Sequence, residues 1–284
     1  MREKSSLLVV LLLLTQSLVW LGCSENSETT VEEVIPATPT PGEMVLIPAG
    51  EFTMGSDLGL TRPPLEAPEH TVTLPSYYID VYEVTYGEWI RFLTESAYEP
   101  EGTWRPSYNI GKEDYPVGNV TWEDAKAYCQ AAGKRLPTEA EWEKAARGTE
   151  GLKYPWGEIW ESKYANTDEL AMRNSVEVGD MSGDKSPFGV YDMMGNVQEW
   201  TVNELQPYPD STIPQDANFQ GGLIAVRGAS HQLKGRNMSL YTRMPYTAKS
   251  QYGTGFRCVR DSEESTQEGE EGAGSENNPQ SEEG

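Results

Sequence analysis

The sequence predicts a single α+β domain, loop-rich and poor in regular secondary structure, flanked by segments outside its core. Three observations lead there. Three helix-start signatures crowd between residues 85 and 148, and short strand-like runs separated by Gly and Pro precede them. The stretch 149–260 is rich in Gly, Pro, Asn and Asp, with few runs long enough for regular structure. Eight Trp, 15 Tyr and 5 Phe supply ample apolar surface, which excludes a wholly disordered chain.

At the start of the chain, Arg2 and Lys4 precede an unbroken apolar run over 7–14, and Leu21-Gly22-Cys23 follows shortly. Residues 1–22 read as a secretory signal, because the run falls short of the about 20 residues a membrane span needs. The segment resembles a bacterial lipobox, with Trp20 where Leu is usual, so Cys23 is expected to be lipidated. The mature protein would then face the periplasm or exterior of a bacterial envelope, held to the membrane by the acyl chains on Cys23. Ordinary cleavage at Gly22 is the alternative. Residues 23–41 carry acids, Ser/Thr and Thr38-Pro39-Thr40-Pro41, the composition of an extended tether.

Within 42–260 no linker-like break and no fixed-period repeat is visible. Strands are expected at 44–48, 51–54, 71–74 and 77–80. Thr85-Tyr86-Gly87-Glu88 is a capping box, opening a helix with Trp89, Phe92 and Leu93 at i, i+3, i+4. Thr121 opens a second helix, with Asp124 in its first turn, and Gly133 ends it. Thr138-Glu139-Ala140-Glu141 opens a third that Gly148 stops. From 261 to 284 nine acids, no base and no aromatic residue give an acidic disordered tail.

The formal net charge of −23 divides unevenly: −4 on the tether, −9 on the tail and −11 on residues 42–260. Neutralising phosphates requires clustered Lys and Arg, so nucleic acid and anionic lipid are excluded as partners. If Cys23 is lipidated, Cys129 and Cys258 remain. In an oxidising compartment a bridge is the economical reading, with free thiols or redox and metal work as alternatives.

A series of motifs resembles the formylglycine-generating enzyme, or sulfatase-modifying factor, family. Met44-Val45-Leu46-Ile47-Pro48-Ala49-Gly50-Glu51-Phe52 and Tyr82-Glu83-Val84-Thr85 come first, then Gly133-Lys134-Arg135-Leu136-Pro137-Thr138-Glu139-Ala140-Glu141-Trp142-Glu143. Tyr154-Pro155-Trp156-Gly157, Gly189-Val190-Tyr191-Asp192-Met193-Met194-Gly195-Asn196-Val197-Gln198-Glu199-Trp200, Arg227-Gly228-Ala229-Ser230 and Gly255-Phe256-Arg257-Cys258 continue in family order across nearly all of 42–260. The resemblance implies a compact C-type-lectin-like fold and a structural disulfide between Cys129 and Cys258.

It also implies a site to inspect. The family's enzymes use a cysteine pair, five apart, to bind copper and oxidise a sulfatase cysteine to formylglycine. Soft thiolates suit Cu(I), but the corresponding positions here are Leu233 and Met238. No catalytic residue is therefore expected, and copper is not expected to bind. A second superfamily branch holds non-haem iron on several His, whereas this chain has only His70, expected at the surface, and His231.

A structural Ca²⁺ is expected instead, since calcium takes carboxylate and carbonyl oxygens from flexible loops. The resemblance assigns it the Asp192 and Glu199 side chains with the Gly195 and Val197 carbonyls. A second site would begin at Asn166 and the Thr167 carbonyl, with Asp168 or Asp180 as candidate acid. Ser230, His231, Arg236, Asn237 and Arg243 are expected to line the old substrate groove. Two functions follow: a non-catalytic, envelope-anchored binding or scaffold module for a protein or glycan, or an enzyme, either formylglycine-generating oxidase or iron oxygenase.

Overall fold

A computed structural model describes residues 38–58, 65–213, 219, 221–250 and 252–263. The expected signal, Cys23, most of the tether and nearly all of the tail lie outside these residues. The four early strands form close to where the sequence puts them: β1 Met44–Ile47, β2 Gly50–Met54, β3 His70–Leu74 and β4 Tyr77–Asp80. β1 and β4 pair antiparallel, as do β2 and β3. Near the end of the domain, Val259–Asp261, the strand β9 of this description, joins β4 in a three-stranded sheet. Ser262 is buried and exchanges a hydroxyl hydrogen bond with Ser76, so packed chain continues past the expected boundary at 260.

The helices obey their start signals. Thr85, Thr121 and Thr138 each accept a hydrogen bond from the N3 amide, and Glu88, Asp124 and Glu141 answer to the cap amide. These capping boxes open α1 Tyr86–Ser96, α2 Trp122–Ala131 and α3 Glu139–Arg147. α1 is amphipathic and seals Trp89 against Trp104, Phe256 and Tyr128. Truncating such a ring to Ala costs about 3–5 kcal/mol. α3 behaves differently: although its sequence is mostly charged, every residue except Ala140 is buried.

The second half holds more sheet than its composition suggests. β5 Gln198–Glu204, β6 Leu223–Arg227, β7 Met244–Thr247 and β8 Thr254–Gly255 form a four-stranded sheet in the order β7-β6-β5-β8. Its strands read weakly because they lie among Gly, Pro and Asn, and pairing rather than local propensity makes them strands. The sheet's Trp200, Ile224 and Val226 pack with Trp89, Val117 and Phe256 into one core cluster. A second cluster joins Ile47, Tyr77 and Ile79 to Trp142, Met193, Met194 and Leu240. Cys129 on α2 and Cys258 before β9 form a disulfide with Cα atoms 5.7 Å apart, closing a separation of 129 residues. Chain entropy gives such a loop about 5 kcal/mol of stabilisation as an upper figure.

Candidate functional site: a polar cleft beside a buried acidic centre

β5 and β6 carry the site between them. After β6 the chain turns at Gly228, whose φ of +72° leaves its missing side chain 3.4 Å from the Trp142 ring. This turn delivers Ser230 and His231 onto the loop that precedes β5. There Asn196, itself left-handed at φ 67°, receives two hydrogen bonds at its carbonyl, from the His231 amide (3.1 Å) and from His231 Nδ1 (2.9 Å). A carbonyl only accepts, so Nδ1 carries the imidazole proton and Nε2 is an acceptor. The Gln232 amide nitrogen lies 3.2 Å from Nε2. Burial lowers the His231 pKa, the Asn196 hydrogen bond opposes that, and the Lys112 charge adds to it. The ring is therefore neutral at pH 7.

His231 lines a cleft of about 290 Å³ whose floor includes Val197, Gly118 and Gly253. Its walls come from the loops at 106–119 and 173–175. Lys112, Arg173, Asn119 and Asn174 supply donors there, and Asp and Glu are absent from its lining. Beneath, Asn166 ties the wall to the floor. Its side-chain amide donates to the Asn174 carbonyl (3.0 Å) and to Asn196 Oδ1 (3.2 Å), while its own carbonyl accepts the Asn196 amide (2.9 Å).

Next to the cleft lies a buried acidic centre. Glu83, Asp184, Asp192 and Glu199 are all at most 1 % exposed, as is Arg257, the base among them. Arg257 grips Glu199 through two 2.7 Å contacts, from Nε and Nη2. Burial pushes the Asp192 carboxyl up to about 6, against the Gly179 amide, Arg257 and Glu83 hydrogen bonding that favour its charge. Burial and then the Asp192 charge raise Glu83 well above the ordinary carboxylate range, and the same two causes raise Asp184. Asp192 Oδ1 and Asn166 Oδ1 are buried without a hydrogen-bond partner. Orphaned oxygens beside excess negative charge are the chemistry a hard cation satisfies.

The residues singled out in the sequence separate into distinct places. His231 alone of the five groove candidates lines the cleft. Ser230 is buried behind it and accepts from the Gln232 amide. Arg236 and Asn237 sit exposed on the 3-10 turn Gly235–Asn237, with Arg236 Nε 3.8 Å from Glu169. Arg243 departs most from expectation. It is 2 % exposed, and both of its contacts to Glu139 are 2.7 Å, because a guanidinium with two buried carboxylate oxygens in reach is better satisfied inside than at a rim.

Of the calcium set, Asp192 and Asn166 keep free oxygens, but Glu199 differs from its expected role. Its carboxylate is committed to Arg257 and to the Trp142 indole N–H at 2.9 Å. Thr167 is buried and gives its hydroxyl proton to Glu169. Asp168 donates its amide to the Leu233 carbonyl, and neither Asp168 nor Asp180 belongs to a group of acids. Among the described residues no three His, Cys, Asp or Glu side chains assemble as a metal-binding group. His70, half-buried, packs edge-on against Tyr208 at 4.6 Å, away from His231 and the cleft. Leu233 and Met238 pack against the core cluster of Trp142 and Met194.

Sequence reasoning missed Lys112, Asn119, Arg173, Asn174 and Gln232. They sit on irregular loops without periodicity, where only the folded backbone brings them to one rim. It also missed Glu169, which accepts the amides of Gly235 and Arg236 and so pins the turn after Leu233.

Known proteins are similar to this chain over most of its length. Residues 30–262 match the family described as sulfatase-modifying factor enzyme 1-like domain. The formylglycine-generating enzyme of Bos taurus is 30% identical over 303 residues, covering 83% of this chain and 79% of that protein. The inactive C-alpha-formylglycine-generating enzyme 2 of Bos taurus is also 30% identical, over 269 residues, covering 76% of this chain and 87% of its own. Among solved structures, PvdO from Pseudomonas aeruginosa superposes with a TM-score of 0.62 at 28% identity, covering 79% of this chain and all of that one.

Proposed function

Since the chain belongs to the sulfatase-modifying factor enzyme 1-like family, we propose that it is a non-catalytic member that binds a ligand in the polar cleft. The observation that carries this is the pair Leu233 and Met238, apolar and packed on the core where the family's oxidases place cysteines. A leucine side chain offers copper no donor, and neither residue can exchange thiols with a substrate. Of the three cysteines in the sequence, Cys129 and Cys258 are joined to each other. The similarity to a protein named as inactive supports the same reading. Cys23 extends it to a lipid-anchored protein of the bacterial envelope, whose ligand is a protein or a glycan.

Calcium belongs to this proposal as a structural ion. Asp192 would hold one ion through its unpartnered oxygen with the carbonyls of Gly195 and Val197, and Asn166 with the Thr167 carbonyl would hold a second. The first would supply positive charge where four carboxylates face one arginine. The residues of this chain do the rest: Asn196 orients His231, and Asn166 fixes the 174 wall through Asn174.

The test is incubation of the copper-supplemented protein with a cysteine-containing sulfatase peptide, followed by mass spectrometry. The peptide is expected to remain a thiol. Conversion to the aldehyde at a rate above the copper-only control would overturn the non-catalytic reading.

A further inference from the structure

The charge of the cleft runs against that of the molecule. The chain has 45 Asp and Glu against 22 Lys and Arg, yet the fifteen residues lining the cleft include Lys112 and Arg173 and not one acid. Lys112 Nζ stacks over the Tyr115 ring at 4.8 Å, a contact that holds the ammonium in place without neutralising it. Neither cation forms a carboxylate ion pair within 4 Å among the described residues, although acids are abundant. Arg173 is held by a backbone in the left-handed region, φ 61°, on the loop that Asn166 anchors one residue later. Two cations without carboxylate ion pairs put positive charge at the rim of one small cleft, where low-dielectric walls concentrate their field against that of the acidic centre beside it.

The remaining lining sets the rest of the ligand. Asn109, Asn174 and Gln232 bring side-chain amides and Ser107 and Ser175 bring hydroxyls, whereas the Asn119 amide is spent on Ser107 and the Gly253 N–H. His231 Nε2, its tautomer fixed by Asn196, is engaged by the Gln232 side-chain amide at 3.2 Å. Val197 is the only aliphatic side chain apart from the Pro106 and Pro116 rings, so there is no pocket for an apolar group. A partner that fits carries one carboxylate and several hydroxyls within a volume of about 290 Å³, which is room for roughly one sugar ring.

Resting on the binding-module reading above, we propose that the cleft recognises an acidic sugar of the uronate type, its carboxylate between Lys112 and Arg173 and its hydroxyls on the amides. Arg presents a planar fork that matches a carboxylate, and Lys adds a point charge. Loss of either should weaken binding by about tenfold, and the double replacement by more.

The test is titration of the purified full-length protein with glucuronate, glucose and N-acetylglutamate, followed by calorimetry or protein NMR. Glucuronate is expected to bind at least about tenfold tighter than glucose, whose ring lacks the charge, and tighter than N-acetylglutamate, which lacks the hydroxyls. Arg173→Gln and Lys112→Gln should each reduce glucuronate affinity by about tenfold with an unchanged melting temperature, since both side chains reach solvent. Equal affinity for glucuronate and glucose, no binding of glucuronate, or insensitivity to both substitutions overturns the carboxylate site. Stronger binding of N-acetylglutamate overturns the sugar and assigns the same cations to an acidic peptide. None of these outcomes bears on the thiol-oxidation assay, so failure here is distinguishable from failure of the non-catalytic reading.

Discussion

Two buried charged centres lie within this domain, and they are built on opposite plans. Around α3, Glu139 and Glu143 face Arg147, Arg227 and Arg243. Glu143 binds Arg147 (2.6 Å) and Arg227, while Glu139 binds Arg227 (3.2 Å) and Arg243. The surplus donors are spent on carbonyls, with Arg147 reaching Thr53, Gly55, Leu152 and Gly151 and Arg243 reaching Leu65 and Gln206. Beside the cleft, by contrast, four carboxylates share Arg257 and leave an oxygen of Asp192 orphaned. The first centre pairs both of its carboxylates with arginines and leaves one donor, Arg227 Nε, without a partner. The second has more carboxylates than Arg257 offsets, and burial raises the pKa of Asp192, Glu83 and Asp184.

The largest expected effect breaks the first centre. Glu143→Ala leaves Arg227 and Arg147 buried without their shared carboxylate, and should cost about 3–5 kcal/mol in urea unfolding. A loss under about 1 kcal/mol would show that the network is not what holds α3 inside. The second centre should respond to solution instead. Calcium at a hundred times its Kd should stabilise the protein by about 2.7 kcal/mol over the chelated form. A melting temperature unmoved by EDTA would remove calcium from the account.

Asp192→Asn should separate the two plans by sign. Asp192 sits at φ 59°, a conformation Asn tolerates. Its carboxyl titrates at about 6 rather than 3.8, so removing the charge should stabilise the calcium-free protein at pH 7.5 by about 2–3 kcal/mol. With calcium present the same substitution should lose most of the ion's stabilisation. The smallest effect is the pH dependence in EDTA. A group whose folded pKa is raised contributes stability present below the unfolded value and lost as pH rises through the folded one. For Asp192 that window runs from 3.8 to about 6, and Glu83 and Asp184 shift in the same direction. The wild-type melting temperature should therefore fall between pH 5 and pH 7.5 in EDTA, and fall less in Asp192→Asn. Glu143 moves oppositely: burial would raise its pKa, but Arg227 and Arg147 hold it below the ordinary value. Its contribution is present above the unfolded pKa and disappears as pH falls below it.

How much of this could be read from the chain differs between the halves. Each of the three helix starts was legible because a capping box is a local, four-residue bargain between side chain and backbone. The early strands were legible for the same reason, each bounded by Gly or Pro. β5 to β8 were not, since they lie within a stretch whose Gly-, Pro- and Asn-rich composition resembles loop. At the site, the loop from Asp192 to Glu199 was legible as a motif of two carboxylates, and both are buried. That Glu199 instead serves Arg257, and that Arg243 lies inside with Glu139, was not, because a charged residue's neighbours are chosen by the fold. Lys112 and Arg173 line one cleft from positions 61 apart in the sequence, a proximity no spacing rule encodes.

The sequence by itself determined the family resemblance, the helix starts, the missing cysteine pair and the acidic charge balance, since these depend on residue identity and short-range geometry. Only the tertiary structure decided which charges are paired. Burial turns a carboxylate's neighbourhood into its energy, and neighbourhoods are assembled across the whole chain. That is why one acidic sequence contains an arginine-paired core, a centre with excess carboxylates and a cleft lined by two cations.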